Sequence, residues 1–279
     1  MRTKILATAT AMLALATMPL LAQEEMPPPV VFGDGELGIT QGEDEQKVLR
    51  FNGLELLRNF YVAYLETATV GGKPIAFFEA GEGGNTCAPE LVAIWENEGD
   101  PDPRVDHLGE NGCSSGEVSI EADAVRMTPY VVPGETQPVR AWSPERGVFE
   151  DGTVSFEPAE GTGWADLEPE AMSHPYDLFA NADVYAEAQA LLGGGLAAFA
   201  RGLSVASEPE FVAGRFIVGD GCVPHSCTLS DAFIAVDTKD HKLFVAQKAD
   251  SKLDMIQPDR SQWPAEMIEK LDEFAKGVE

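Results

Sequence analysis

The segment from Gly221 to Cys227 holds the residues of this chain whose types and spacing are best suited to chemistry. Its sequence is Gly-Cys-Val-Pro-His-Ser-Cys, so Cys222 and Cys227 enclose only four residues. A disulfide between them would close a short loop that Pro224 stiffens further, and such a loop loses little entropy when it binds a partner. His225 would present an imidazole at the tip of the loop. The spacing predicts a rigid binding loop, and a stapled turn with an incidental histidine fits the same residues equally well.

The chain begins with a pattern typical of a secretory signal peptide. Arg2 and Lys4 precede an uncharged apolar run that ends near Ala22, and residues 23–30 form an acidic, proline-rich leader. No second apolar stretch is long enough to span a bilayer. We therefore expect cleavage near Ala22 and a mature chain that is periplasmic or secreted and is not inserted in a membrane.

The cysteines of the chain number four, and all lie after the signal sequence. An even count in an exported chain argues for disulfides, because the periplasm and the exterior oxidise thiols. Distance along the chain favours the pairs Cys87–Cys113 and Cys222–Cys227. A metal site is the alternative, but Cys-x-x-Cys spacing is absent and the histidines that could assist are few. We expect disulfides, no metal and no cofactor.

Acidic residues dominate the composition, with 47 Asp and Glu against 19 Lys and Arg and a formal net charge of −28. Loss of the two cations in the signal sequence takes the net charge to −30, two units below the −28 of the full chain. Nucleic acids are therefore excluded as partners, and anionic membrane surfaces are disfavoured. The charge fits either high solubility or attraction to a cationic protein.

The chain from residue 31 to 157 has the texture of a β-rich domain. Short apolar or alternating runs such as KVLRF, KPIAFFEA and ELVAIW are separated by Gly, Pro and Asp, which is typical of an antiparallel sheet, a sandwich or a partial barrel. Residues 55–66 also fit a helix, because their apolar positions recur with a period near 3.6. Residues 158–176 indicate a linker.

The elements that would position the loop follow from residue 177 onward. Asn181 can cap a helix over 183–192 that the glycines at 193–195 would end, and 196–203 fits a second short helix. We expect a strand at 210–219, a hairpin of 232–236 and 242–247 across the polar turn 237–240, and a C-terminal helix that begins near Pro264 and stops at Gly277.

Two literal enzyme motifs lack the context that their chemistry needs. The G-x-G-x-x-G of residues 33–38 is followed by no prompt helix, and its two acids would repel a pyrophosphate. The G-x-S-x-G of residues 112–116 lies between a polar loop and a strand, whereas a nucleophile elbow joins a strand to a helix. We therefore expect that the protein is not an enzyme.

Together with its flanks, the loop resembles the periplasmic inhibitors of vertebrate lysozyme. The signature of that family is Cys-Lys-Pro-His-Asp-Cys, and four of its six positions are matched here by Cys222, Pro224, His225 and Cys227. The sequence RFIVG precedes the loop and DAFIAVDTKDHKLFVAQ follows it, in the order of strand, loop and hairpin. The resemblance covers roughly residues 176–279.

The resemblance implies a mechanism for the loop. Lysozyme cleaves its glycan with two carboxyl groups in a cleft, so a rigid loop inserted there would exclude the glycan while His225 bonds to the carboxyl groups. Val223 replaces the lysine of the family and offers only an apolar contact, whereas Ser226 replaces the aspartate and can still donate a hydrogen bond. The implied partner is a c-type lysozyme first of all, or another cationic protein.

These observations combine into one prediction of fold and function. We expect an α+β protein with a β-rich domain at 31–157 and, after the linker at 158–176, an antiparallel-sheet domain with flanking helices at 177–279. The expected function is an exported proteinaceous inhibitor of lysozyme. The alternatives are a non-enzymatic periplasmic binding or scaffold module, and a hydrolase or metalloprotein with Cys222, His225 and Cys227 as ligands.

Overall fold

The computed structural model describes residues 26–83, 87–114 and 116–276. The expected signal peptide, its cleavage site near Ala22 and the helix stop at Gly277 lie outside these residues. Within the described ranges no helix is long and apolar enough to cross a bilayer. The expected α+β class is confirmed, with antiparallel sheets in the N-terminal part and a sheet flanked by helices in the C-terminal part.

The N-terminal part consists of three antiparallel sheets stacked on one another. The first sheet contains β1 (Val30–Phe32), β2 (Gly35–Gln41), β3 (Lys47–Phe51) and β4 (Leu54–Asn59). The second contains β5 (Tyr61–Val70), β6 (Lys73–Gly81), β7 (Ala88–Trp95), β8 (Arg104–His107) and β9 (Cys113–Ser114). The third contains β10 (Gly116–Ile120), β11 (Val125–Pro129), β12 (Thr136–Ser143) and β13 (Gly147–Ser155).

The middle sheet is buried on both faces, which explains the continuous apolar run in β6. Ala76 and Phe78 pack against the first sheet, whereas Ile75 and Phe77 pack against the third. Alternate residues of a strand point to opposite faces, so a strand covered on both sides needs apolar residues at every position.

The helical alternative for residues 55–66 is wrong. These residues form β4 and the first half of β5, which pair with β3 and β6 respectively. Leu57 and Val62 are buried between the first and second sheets. Pairing with the neighbouring strands determines the conformation of these residues, and the spacing of apolar residues within one segment does not show such pairing.

The C-terminal part is a sheet with helices on both faces. Its strands are β14 (Val205–Ala206), β15 (Glu210–Val212), β16 (Phe216–Cys222), β17 (Asp231–Asp237), β18 (Lys242–Ala249) and β19 (Lys252–Gln257). Helices α1 (Ala182–Leu192) and α2 (Leu196–Arg201) cover one face, and α3 (Ala265–Lys276) covers the other. All seven residues of the central strand β17 are buried.

Most of the local predictions in this part are confirmed. The Asn181 side chain accepts hydrogen bonds from the first turn of α1, and Gly193 at φ +53° follows its last residue. The hairpin of β17 and β18 turns across residues 237–242, and α3 follows Pro264. The single strand expected at 210–219 is wrong, because Ala213 and Gly214 adopt positive φ and turn the chain between β15 and β16.

The segment from residue 158 to 176, which we call the connecting segment, packs against the C-terminal core. It contains short 3-10 turns at 164–166 and 169–171. Its side chains Trp164, Leu167 and Met172 contact the core cluster beneath α1 and α2. Trp164 also stacks on His241 with ring centroids 5.2 Å apart. The connecting segment therefore covers part of the sheet domain.

A buried carboxylate holds the turn of the β17–β18 hairpin. Asp237 accepts a 2.7 Å hydrogen bond from Arg215 Nε and further bonds from the backbone N–H groups of Lys239 and Asp240. Burial alone would raise the pKa of Asp237, but these hydrogen bonds outweigh it, so the pKa lies below its ordinary value.

We expect Asp237→Asn to lower the free energy of unfolding by about 2 kcal/mol at neutral pH, because it weakens charge-assisted hydrogen bonds to a buried group. A carboxyl group with a lowered pKa stabilises the fold above its unfolded pKa of about 3.9, and this contribution is lost as the pH falls through the folded pKa. The difference between the variant and the wild type should therefore shrink in acid, as measured by urea unfolding across pH.

The matched control is Asp240→Asn, because Asp240 pairs with the same arginine but its side chain is 52% exposed. We expect a loss below about 1 kcal/mol there. Equal losses for the two variants would contradict the assignment of the stabilisation to the buried carboxylate.

Candidate functional site

The loop after β16 joins two strands that pair along their whole length. Seven pairs run from Phe216 with Asp237 to Cys222 with Asp231, so the loop leaves and re-enters the sheet at adjacent positions. The Cys222–Cys227 disulfide is present and closes the first part of the loop. Because the two sulfurs are bonded to each other, neither provides a thiolate. The hypothesis that these cysteines are metal ligands is therefore wrong.

Backbone hydrogen bonds within the loop add to the disulfide. Ser226 N–H donates to Val223 O at 2.9 Å, and Val223 N–H donates to Ser230 O at 3.2 Å. His225 has φ +63°, in the left-handed region that histidine tolerates better than most residues. Pro224 and His225 are both exposed. The loop thus presents an exposed Pro-His tip on a backbone fixed by a covalent bond and by its own hydrogen bonds.

Exposed apolar side chains lie on the loop and at its base. Leu229, later in the same loop, is 50% exposed, and Val205 in the neighbouring strand β14 is 49% exposed. Val205 pairs with Cys222 at the base of the loop. Gly221 allows this pairing, because a Cβ atom there would lie 2.9 Å from both Leu203 Cα and Val205 O.

A buried ion pair lies under the second half of the loop. Lys248 Nζ, on β18, is 3.2 Å from Asp231 Oδ2 at the start of β17, and the Lys248 side chain is only 3% exposed. The other carboxylate oxygen of Asp231 accepts a 2.7 Å hydrogen bond from Thr228 N–H. The ammonium group also lies 4.4 Å from the centroid of the Phe274 ring on α3. One carboxylate therefore connects the loop backbone to a lysine inside the domain.

An open cavity of about 670 Å³ borders the same ion pair on the α3 side of the sheet. Asp220, Asp231 and Lys248 contribute to its lining together with the two loop cysteines. Burial raises the pKa of Asp220, and the neighbouring carboxylates of Asp231 and Glu210 raise it further.

Asp231, Lys248 and Thr228 are not among the residues that the sequence indicated as functional. The register of the β17–β18 hairpin would have indicated this ion pair, because the pairing of Ala232 with Gln247 places Asp231 beside Lys248. Lys248 also follows Phe244 and Ala246 on the face that α3 covers. A lysine at a position of the pattern that faces the core indicates a buried partner of opposite charge.

The second disulfide and two further histidines, His107 and His174, lie in other parts of the chain. The Cys87–Cys113 disulfide is in the N-terminal part, where it joins the start of β7 to β9. His107 Nδ1 is 2.7 Å from the buried carboxylate of Glu90, and His174 accepts a hydrogen bond from Tyr176 N–H. Among residues 26–83, 87–114 and 116–276, no three His, Cys, Asp or Glu side chains are grouped so that they could hold a metal ion.

Comparisons with known proteins divide the chain in two. Residues 183–277 match the family described as inhibitor of vertebrate lysozyme (Ivy), which confirms the resemblance for the C-terminal part. Residues 33–155 match the Y4bG N-terminal domain. A protein of Sinorhizobium fredii (strain NBRC 101917 / NGR234), described as "Uncharacterized protein y4bG", is 28% identical over 238 residues, which are 85% of this chain and 86% of that protein. No solved structure matches this chain.

The two disulfides close loops of very different length, with sequence separations of 26 for Cys87–Cys113 and 5 for Cys222–Cys227. Chain entropy then predicts a contribution of about 3.5 kcal/mol from the first and about 2 kcal/mol from the second. We expect Cys87→Ser with Cys113→Ser to lower the urea midpoint more than Cys222→Ser with Cys227→Ser does. A larger loss from the second pair would show that the short loop stabilises the fold by more than chain closure.

Proposed function

We propose that this chain is an exported inhibitor of lysozyme that inserts the loop 222–227 into the active-site cleft of the enzyme. The observation that carries the proposal is the exposed tip of Pro224 and His225 on a disulfide-closed loop, within the segment that matches the inhibitor family. A loop that is already ordered binds without a large entropic cost. Its tip would exclude the glycan from the cleft.

The chemistry of the loop suits a cleft that holds two carboxyl groups. From residue 221 to 230 the chain has no acidic or basic residue besides His225. The imidazole donates hydrogen bonds to carboxyl oxygens, and the Ser226 hydroxyl can add another without bringing a negative charge. Val223 and Leu229 on the loop and Val205 at its base offer apolar surface to a partner.

Export and charge complete the proposal. The signal-like N-terminus and the two disulfides are consistent with a periplasmic or secreted protein, where peptidoglycan is exposed to lysozyme. The excess of acidic residues lies outside the loop, so it would attract a cationic lysozyme at long range while the contact itself stays nearly uncharged. A c-type lysozyme is the target we propose, and the inhibitor acts by binding and performs no catalysis.

The first test is a cell-wall lysis assay with c-type lysozyme and the variants His225→Ala and His225→Asn. Alanine removes the imidazole and also disfavours the positive φ, whereas asparagine removes the imidazole but tolerates that backbone. We expect both variants to raise the inhibition constant by at least about tenfold, which corresponds to about 1.4 kcal/mol.

Inhibition by His225→Asn equal to that of the wild type would show that the imidazole makes no essential contact. Complete absence of inhibition by the folded wild-type protein at micromolar concentration would exclude this target. That result would favour the alternative of a binding or scaffold module that keeps the fold.

The second test uses the two disulfides as controls for each other. We expect Cys222→Ser with Cys227→Ser to weaken inhibition by at least about tenfold, because the loop must then be ordered on binding. Cys87→Ser with Cys113→Ser should leave the inhibition constant of the folded protein within about twofold, although its stability falls more. Loss of inhibition in the second variant alone would contradict the assignment of the site.

The third test concerns salt. Because the attraction is long-range, raising the salt concentration from about 50 to about 500 mM should lower the association rate constant by at least about tenfold and change the dissociation rate constant little. Stopped-flow binding measures both rate constants. A salt effect confined to dissociation would place the important charges within the contact instead.

A further inference from the structure

The buried ion pair of Lys248 and Asp231 does more than fill the domain interior. Its carboxylate uses one oxygen for Lys248 Nζ at 3.2 Å and the other for Thr228 N–H at 2.7 Å. Thr228 immediately follows Cys227, so the anchored backbone lies next to the disulfide that holds the tip. The N–H group that Asp231 holds therefore belongs to the peptide bond directly after Cys227, where the closed loop ends.

The backbone at Thr228 needs such an anchor. Thr228 has φ +75°, a left-handed conformation that is rare for a β-branched residue and costs conformational energy. A short hydrogen bond from its N–H to a fixed carboxylate can hold this conformation. Without the acceptor, Thr228 would relax to negative φ, and the direction in which Cys227 leaves the disulfide would change.

Lys248 stabilises the Asp231 carboxylate in its buried position. An isolated carboxylate at the Asp231 position would be costly, because that residue is only 9% exposed. The ammonium group of Lys248 neutralises it from inside the domain, where Lys248 is only 4% exposed and its ammonium lies over the Phe274 ring. Since both groups lie on paired strands, their positions are set by the sheet and not by the loop.

We propose that Asp231 and Lys248 are positioning residues for the inhibitory loop: the pair presents a fixed acceptor to Thr228 N–H and so sets the conformation of the Pro224-His225 tip. This inference rests on the proposed function of the loop. It adds that the geometry of the tip is determined from within the sheet, through the residue that directly follows the disulfide. The two residues touch no target atom in this scheme.

Two double variants distinguish the effect of the hydrogen-bond acceptor at position 231 from the effect of the buried charges. Asp231→Asn with Lys248→Met removes both charges and keeps an oxygen that can accept from Thr228 N–H. Asp231→Ala with Lys248→Met removes both charges and the acceptor. We expect the first to inhibit lysozyme within threefold of the wild type and the second to inhibit at least tenfold more weakly. Equal inhibition constants for the two would overturn the proposal.

Hydrogen exchange gives a readout that does not depend on lysozyme. The Thr228 amide should stay protected in the asparagine variant and exchange at least tenfold faster in the alanine variant, while the amide of Ile234 in the middle of β17 stays protected in both. If the wild type proves not to inhibit lysozyme, this contrast still decides whether the pair holds the loop. Equal protection of Thr228 in both variants would refute the positioning role even if inhibition is found.

Two further variants exclude a purely structural effect. Asp237→Asn removes the buried carboxylate at the other end of β17, so it should lower stability and leave the inhibition constant of the folded protein unchanged. Thr228→Gly, added to Asp231→Ala with Lys248→Met, should recover at least threefold of the lost inhibition, because glycine adopts positive φ without an acceptor. Loss of inhibition in Asp237→Asn equal to that in the alanine variant, or no recovery with glycine, would count against the proposal.

Discussion

The C-terminal part is organised around a strand that is buried on both faces and ends in a buried carboxylate on each side. Strand β17 begins with Asp231 and ends with Asp237, which are 9% and 1% exposed. A carboxylate at such a depth requires a cation and hydrogen bonds, and Lys248 and Arg215 supply them at the two ends. One end thereby fixes the hairpin turn and the other fixes the loop. The requirement to neutralise two charges links the central strand to both structures that project from it.

The sequence was sufficient for those features that are encoded locally. The cysteine spacing predicted both disulfides, Asn181 marked the start of a helix, and the polar turn after Asp237 marked a hairpin. These signals depend on residues close together in the chain. The packing of the connecting segment was not predicted, because its Pro and Gly residues show no period and the partner of Trp164 is 77 positions away at His241. Contacts of this kind become visible only when the sheet is assembled.

The candidate site was predicted in part for the same reason. The loop residues Pro224 and His225 were found from spacing and from a family resemblance, and both are exposed where the loop leaves the sheet. The ion pair below them was missed, because it joins residues that become neighbours only through the hairpin register. The acidic surface and the uncharged loop also have separate consequences, since the first acts through the solvent over long distances and the second acts only at contact. The amino-acid composition shows the excess of acidic residues, whereas only the structure shows that the loop is exposed.

The connecting segment limits how this inhibitor-like unit can be moved between proteins. Trp164, Leu167 and Met172 complete the core under α1 and α2, and Phe156, at the end of the N-terminal sheets, packs against the same cluster. Glu135, in the loop before β12, forms an ion pair with Arg201 on α2. A gene fusion or recombination event that joined the unit at residue 177 would leave an apolar face of the sheet domain uncovered. A unit that folds with this face covered therefore includes the connecting segment.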